Sequence, residues 1–391
     1  MNKRILFDLV KTQPLGGTKI HGGGAYGIAV FRRLVEMYPD EISVYYDKNK
    51  YIDQNVLKII KEKDIRTYHT KDYTLAEAAR KECNIVYSPI FTSSDVIQNP
   101  TIIFVSTLHG VRNSIIKSDK YEYAYKKDGR TIYNLLMKFD LKKLCSLIVK
   151  NRRSRLINDY LMSQLSNNVS FVTVSESSKY AILCENKELG RKDIPVFYSP
   201  NTTNDNISTI DLSSKYGKYY LIISANRWIK NAVRAIIALD ELFSERPSIE
   251  GKVVVTGINR CTDLRLKIKN LHRFVFLGYV DDQMLKSLYK SAYLFIFPSL
   301  YEGFGYPPLE AMHEGTPVIA SGCSSIPEIC GDAVLYFNPY IIQEIKLRVF
   351  EMEDQSIRDN FIKRGIERQA IIAKRQKKDL DDMCSYIESF L

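Results

Sequence analysis

Two carboxylates, Glu302 and Glu310, are separated by seven residues in a stretch that reads YEGFGYPPLEA. The apolar run Leu294–Pro298 precedes them and reads as a buried strand. Gly303, Phe304 and Gly305 follow Glu302, and Pro307 and Pro308 start the helix that carries Glu310. Glycines let backbone come close to a ligand, and a helix N-terminus offers unpaired N–H groups to phosphate. Carboxylates beside a phosphate-bearing ligand are costly unless they accept hydroxyl hydrogen bonds, which sugar and ribose supply. The junction therefore reads as a site for a phosphorylated, hydroxyl-rich ligand.

Upstream, the octet Ser224–Asn231 (SANRWIKN) follows a strand and opens a helix. Arg227 and Lys230 at such a turn can hold a diphosphate and stabilise it as it leaves. Trp228, the only tryptophan, reads as packing. Gly257 and Gly278 mark two more strand ends, the second followed by Tyr279 and Val280, and Asp281 and Asp282 read as the cap of the next helix. In the first half, a glycine-rich loop, His21 to Gly27, follows the first strand and precedes the amphipathic run Ile28–Leu34. It lacks the GxGxxG spacing and the later acidic residue that would argue for a dinucleotide. His109 ends the strand–loop that begins at Thr101, and Ser175, Ser177 and Ser178 follow another strand as helix caps or ligand contacts. Asp379 and Asp381 match the DxD of metal-dependent transferases but fall in a helical pattern, where they read as solvated surface.

These residues need strands and turns to hold them, and the chain supplies both. Strand candidates in the first half are Arg4–Val10, Ile42–Tyr46, Ile85–Tyr87, Thr101–Ser106 and Ser170–Val174. In the second half they are Tyr219–Ser224, Lys252–Thr256, Arg273–Leu277, Leu294–Pro298, Pro317–Ala320 and Ala333–Tyr336. Amphipathic stretches such as Asn231–Ser244, Asp282–Lys290 and Leu309–Glu314 alternate with them, which is the grammar of an α/β protein with parallel sheets. At 391 residues the chain suits two domains of about 150–200 residues each. The turn-forming cluster in Tyr198–Lys218 marks the boundary, giving domains 1–200 and 201–375, with a final helix, 376–391, packing back on the first.

Composition narrows the class. With 45% hydrophobic and 26% charged residues the chain reads as globular, and its apolar runs are far shorter than the roughly 18 residues that span a bilayer. The N-terminus goes straight into a strand interrupted by Asp8, which is no signal peptide. Seven scattered cysteines without a CxxC pair predict a reducing compartment, and five unclustered histidines point to no metal site. Residues 1–200 hold 32 Lys and Arg against 21 Asp and Glu, whereas residues 201–391 hold 24 of each. The excess of +11 in the first half suits nucleic acid, a phosphorylated acceptor or a membrane surface, or is ordinary solvated lysine. Its densest part is 135–155, where apolar residues at helical spacing accompany Lys138, Lys142, Lys143, Lys150, Arg152, Arg153 and Arg155. An anionic bilayer would suit that segment, and no nucleic-acid-binding motif accompanies it.

The stretch from Ser299 to Pro339 resembles the E-x7-E donor motif of retaining glycosyltransferase family 4. The glutamate spacing, Gly-Phe-Gly, Pro307, Glu310-Ala311-Met312, Gly315-Thr316-Pro317-Val318 and Ser325-Ile326-Pro327-Glu328 all coincide. The resemblance implies a GT-B fold, two Rossmann-like domains facing across an interdomain cleft, the first binding acceptor and the second a nucleotide sugar. It implies that Glu302 contacts the transferred sugar and Glu310 the ribose hydroxyls. Backbone at Gly303, Phe304 and Gly305 would face the sugar, with Pro308 and Leu309 near the diphosphate and Tyr279 or Val280 beside the base. Lys230 matches the family's phosphate-binding lysine, while Arg227 stands closer to it than the family's arginine does. Gly23 and Gly24 resemble the family's Gly-Gly turn. His109 takes the place of a histidine near the transferred sugar, though Gly110 follows where aspartate is frequent. Glu302, His109 and Lys230 are thus the expected catalytic residues.

The implied activity is metal-independent hexosyl transfer with retention, from a UDP- or GDP-sugar to a glycan or lipid-linked acceptor in polysaccharide or glycolipid synthesis. No other cofactor and no nucleic acid are expected. The implied location is the cytoplasm, with peripheral contact at the inner membrane face. Other readings are a GT-B-like sugar-nucleotide epimerase, a glycogen-type synthase, or a non-catalytic sugar-nucleotide-binding subunit.

Overall fold

The computed structural model describes residues 4–14, 20–92, 101–125 except 118, 168–186, 189, 193–203 except 202, and 205–391. The basic segment 135–155 lies outside the described residues. By contacts the chain forms two compact units. The first comprises Met1–Val111, Arg153–Thr202 and Ala373–Leu391, and the second Arg112–Arg152 and Thr203–Ile372.

The first unit holds strands β1 (Ile5–Asp8), β2 (Ile42–Tyr46), β3 (Arg66–His69), β4 (Ile85–Ser88), β5 (Ile103–Leu108) and β6 (Val169–Thr173). They pair in parallel in the order β3-β2-β1-β4-β5-β6. The second unit holds β7 (Tyr219–Ile222), β8 (Lys252–Val255), β9 (Phe274–Phe276), β10 (Leu294–Phe297), β11 (Val318–Ser321) and β12 (Leu335–Phe337). Their order, β12-β11-β10-β7-β8-β9, repeats the same doubly wound plan. Val253, Val254, Val255, Leu294, Phe295 and Ile296 are fully buried. Such unbroken apolar strands belong to parallel sheets covered on both faces.

Both sheets have a switch point, where the strand order reverses: between β1 and β4, and between β7 and β10. Ligands of doubly wound folds bind outside the carboxyl ends of strands at this point. β7 and β10 pair directly, Leu294 beside Tyr220 and Phe295 beside Leu221, so the loops after them emerge side by side.

Three local readings of the sequence need correction. β3 was not anticipated: Arg66-Thr-Tyr-His is short, half polar and an edge strand paired only with β2, so it shows little apolar periodicity. The glycines after His21 do not form a loop ahead of the helix. The helix Gly22–Met37 starts at Gly22, and His21 caps it by accepting from the Gly24 N–H at 3.0 Å. Asp379 and Asp381 are not solvated surface. Asp379 accepts from the Tyr198 N–H at 2.8 Å and from Arg375, and Asp381 pairs with Arg33 at 2.6 Å. Both lie on the long helix Gln355–Glu388, whose last turns also bring Gln376 to the Ser199 carbonyl. Among the described residues no helix is long and apolar enough to cross a membrane.

Candidate nucleotide-sugar site

Lys230 is placed by a short 3-10 turn, Trp228–Lys230, at the carboxyl end of β7. Asn231 follows with φ 54°, a left-handed conformation that asparagine tolerates better than most residues, and then the helix Ala232–Glu245 begins. The Asn231 amide holds that conformation by donating to the carbonyls of Pro298 and Pro339 at 3.0 and 2.8 Å. The turn is also stitched to the loop after β10, since the Leu300 N–H donates to the Ile229 carbonyl at 2.8 Å.

Glu302 stands on that loop with Oε1 2.7 Å from Lys230 Nζ. Only 9% of the lysine side chain and 16% of the glutamate's are accessible, so each charge depends on the other. The Ser299 hydroxyl also donates to Oε1. The loop is held from beneath: Glu302 N–H donates to Ser324 Oγ at 3.0 Å, and Ser325 Oγ donates to the Phe304 carbonyl at 2.6 Å. Phe304 is buried, and Gly305, at φ 118°, turns the chain into the helix Tyr306–His313. A side chain at Gly305 would force strained backbone. No side chain caps this helix, Pro307 and Pro308 lie in its first turn, and Pro308 and Leu309 are buried. Pro307 and Pro308 carry no N–H, so this helix start offers fewer backbone donors than most.

Glu310, one turn into the helix, accepts from the Tyr289 hydroxyl at 3.0 Å. Burial pushes its carboxyl above the usual glutamate value, and the Tyr289 hydrogen bond and the Lys230 charge only partly offset this. A carboxyl raised in this way favours the fold when protonated, and that contribution is lost as pH rises through the raised value. Glu310→Gln is therefore expected to melt higher than wild type at pH 7. The difference should close below the ordinary glutamate range, where both side chains are neutral. A lower melting temperature at pH 7 would show that the carboxylate is a net stabiliser.

Lys230, Glu302 and Glu310 are thus brought together. Arg227 is exposed one turn away. Tyr279, 65% exposed, and the half-buried Val280 follow β9, at the sheet edge two strands from β7, and Asp281 caps the next helix by accepting from Met284 N–H. Gly23, Gly24 and His109 lie in the first unit. A Cβ on Gly24 would meet the Thr12 carbonyl and has no room, whereas one on Gly23 would meet only the movable tip of the Ile90 side chain. His109 Nε2 donates to the Pro89 carbonyl at 2.8 Å and its ring packs edge-on to Tyr26. Burial lowers its pKa, with nearby His21 adding to the effect. His109 is then a neutral ring at pH 7 with Nδ1 as its bare nitrogen. Ser175 caps the helix Glu176–Glu185 through the Ser178 N–H.

Sequence reasoning passed over Tyr289, Ser299 and Ser324 and gave no positioning role to Asn231 and Ser325, which together place the carboxylates and the lysine. The serines have a faint signal, since small hydroxyl residues flank both ends of the glycine-rich loop.

Comparisons with known proteins fit this geometry. Residues 206–368 match the family model described as glycosyl transferases group 1. The chain is 44% identical over 92 residues to an O-antigen chain mannosyltransferase B of Escherichia coli, covering 23% of this chain and 24% of that protein. It is 30% identical over 176 residues to the O-antigen chain mannosyltransferase RfbU of Salmonella typhimurium, covering 43% and 46%. The matches thus span under half the length of these curated relatives. Among solved structures, HepE of Anabaena in complex with UDP and glucose superposes with a TM-score of 0.64 at 16% identity, with both chains fully covered. Sucrose-phosphate synthase of Thermosynechococcus elongatus gives 0.67 at 15%, covering 100% of this chain and 99% of that one. The fold is that of the GT-B glycosyltransferases.

Proposed function

We propose that this chain is a retaining, nucleotide-sugar-dependent glycosyltransferase that moves a hexose to a glycan or lipid-linked acceptor in cell-surface polysaccharide synthesis. The observation that carries the reading is the Lys230–Glu302 pair beside an uncapped helix N-terminus, at the switch point of the sheet in the region that matches glycosyl transferases group 1. Mannose is the sugar to try first, because the curated relatives' names carry it. The donor would be a UDP- or GDP-sugar, and the reading puts the enzyme in the cytoplasm with peripheral contact at the inner membrane face.

Each residue then has a task. Lys230 stabilises the departing nucleoside diphosphate, with backbone N–H groups of the surrounding loop. Glu302 accepts hydroxyl protons of the transferred sugar, and Glu310 accepts those of the ribose. Among the described residues no side chain is placed as a nucleophile, and in this reading the acceptor hydroxyl attacks the face from which the diphosphate leaves. A phosphate oxygen takes its proton.

Thermal stability measured against UDP-, GDP- and ADP-hexoses tests donor binding, since a ligand bound only by the folded state raises the melting temperature. Slow release of nucleoside diphosphate and free sugar supports the transferase. An epimerised product, or binding without turnover, would replace it with an epimerase or a non-catalytic subunit. Glu310→Ala should weaken nucleotide binding about ten- to a hundredfold, the value of a hydrogen bond to a charged group. Glu302→Gln should keep nucleotide affinity but lower turnover, and wild-type turnover would remove Glu302 from the chemistry. Turnover should also persist in EDTA, because lysine and backbone N–H groups hold the diphosphate. Loss on chelation with rescue by manganese would show that a divalent ion shares that task.

A further inference from the structure

Asp119 belongs to the segment Arg112–Tyr125, which packs on the second unit and carries none of the residues that the sequence marks for chemistry. One carboxylate oxygen accepts the indole N–H of Trp228 at 3.2 Å, and the other lies 2.5 Å from Arg234 Nη2. Arg234 in turn donates to the Asn231 side-chain oxygen at 2.8 Å, and its guanidinium lies over the rings of Tyr121 and Tyr340. Residues 228, 231 and 234 bracket Lys230 in the chain, and all three meet in Asp119 or its partner. Ile116 of the same segment packs with Ile229, Leu300 and Tyr301, the residues between which the Lys230 turn and the Glu302 loop are joined.

Lys230 ends a 3-10 turn ahead of the helix Ala232–Glu245, and that turn is too short to fix it. A 3-10 turn of three residues followed by a left-handed residue leaves the ammonium free to swing unless the turn is held at both ends. Asp119 holds the turn before Lys230 through Trp228, and after it through Arg234 and Asn231. We propose that Asp119 is a positioning residue that acts through Lys230, clamping the turn so that the ammonium meets Glu302 and the leaving diphosphate. The role in transfer rests on the glycosyltransferase reading, whereas the role in placing Lys230 does not.

Two readouts separate these claims. Amine-reactive labelling followed by peptide mass analysis reports how well Lys230 is shielded. In wild type Lys230 should be among the least reactive lysines, and in Asp119→Ala it should label several-fold faster while lysines distant from the clamp keep their rates. Trp228, the only tryptophan, reports the break itself through a shifted emission maximum. With donor, Asp119→Ala should lose about ten- to a hundredfold in kcat, the cost of misplacing a catalytic group by about 1 Å, with a much smaller change in donor KM. Asp119→Glu, which restores the charge, should recover part of both losses. If Asp119→Ala does not fold, Trp228→Phe removes one arm of the clamp without removing a charge, and Lys230 labelling should still rise. Shifted Trp228 emission with wild-type Lys230 labelling overturns the proposal, as does wild-type labelling in Trp228→Phe. Absence of turnover in wild type with every nucleotide sugar overturns the transferase reading instead, and leaves the labelling result to decide the clamp.

Discussion

Replacing Lys230 with methionine is expected to lower turnover by about 10²- to 10³-fold, the usual effect of removing one preorganised donor from a developing negative charge. The lysine is 7% exposed, its Nζ meets Glu302 at 2.7 Å, and it lies over the face of Phe297, so water cannot take its place cheaply. The same change strands the Glu302 carboxylate in a niche where little solvent reaches it, so stability should fall as well. The double variant Lys230→Met with Glu302→Gln separates the two effects. It should regain much of the lost melting temperature while remaining slow, because the stranded charge is gone but the leaving group still has no cation. Single-turnover release of nucleoside diphosphate is the measurement. A rate within threefold of wild type for Lys230→Met would place the phosphate-binding cation elsewhere.

The second large effect concerns stability. Arg234→Met should cost about 3–5 kcal/mol, the penalty for breaking a buried pair from one side. At about 2–4 °C per kcal/mol for a unit of this size, the melting temperature should fall by about 6–20 °C. Burial alone would push the Asp119 carboxyl up. The Arg234 guanidinium and the N–H groups of Glu122 and Tyr121 outweigh it and hold the group below the usual aspartate value. A depressed carboxylate lends stability above its unfolded value, and that contribution is lost as pH falls through the folded one. Without Arg234 burial raises the carboxyl, so the gap between variant and wild type should be widest at neutral pH and close progressively as pH falls through mild acid and then below the ordinary aspartate range. A gap that is the same at every pH would mean that the lost packing against Tyr121 and Tyr340, and not the charge, carries the effect.

The fold was legible where burial is two-sided. Val253-Val-Val and Leu294–Phe297 have no polar interruption, and parallel strands covered by helices require that. It was least legible at β3, whose edge position asks for little apolar character, and at His21–Gly24, where three glycines suggest a loop but a histidine ring supplies the cap. The loop and helix that carry Glu302 and Glu310 were legible because glycine, proline and glutamate each leave a mark at fixed spacing. Their supports were not. Tyr289 reaches Glu310 from a helix 21 residues earlier, and Asp119 reaches Arg234 across 115 residues. Nothing in the local pattern around either residue differs from an ordinary helix or turn.

The first unit is assembled from three separated stretches, and the last of them supplies contacts to both of the others. Asp379 holds the Tyr198 N–H, Gln376 holds the Ser199 carbonyl, and Met383 lies against the buried Tyr26 hydroxyl. Thr203–Ile372, by contrast, is one unbroken run that holds all six strands of the second sheet. On the ribosome the familiar N-to-C order of maturation is thereby reversed. The sheet begun first must wait, at about 5–20 residues per second, for about 10–40 s after Thr202 is made before its closing helix arrives. Over that interval a holdase has an unfinished substrate, and premature termination just after Ile372 yields a polypeptide with a complete second unit and a first unit open to proteolysis.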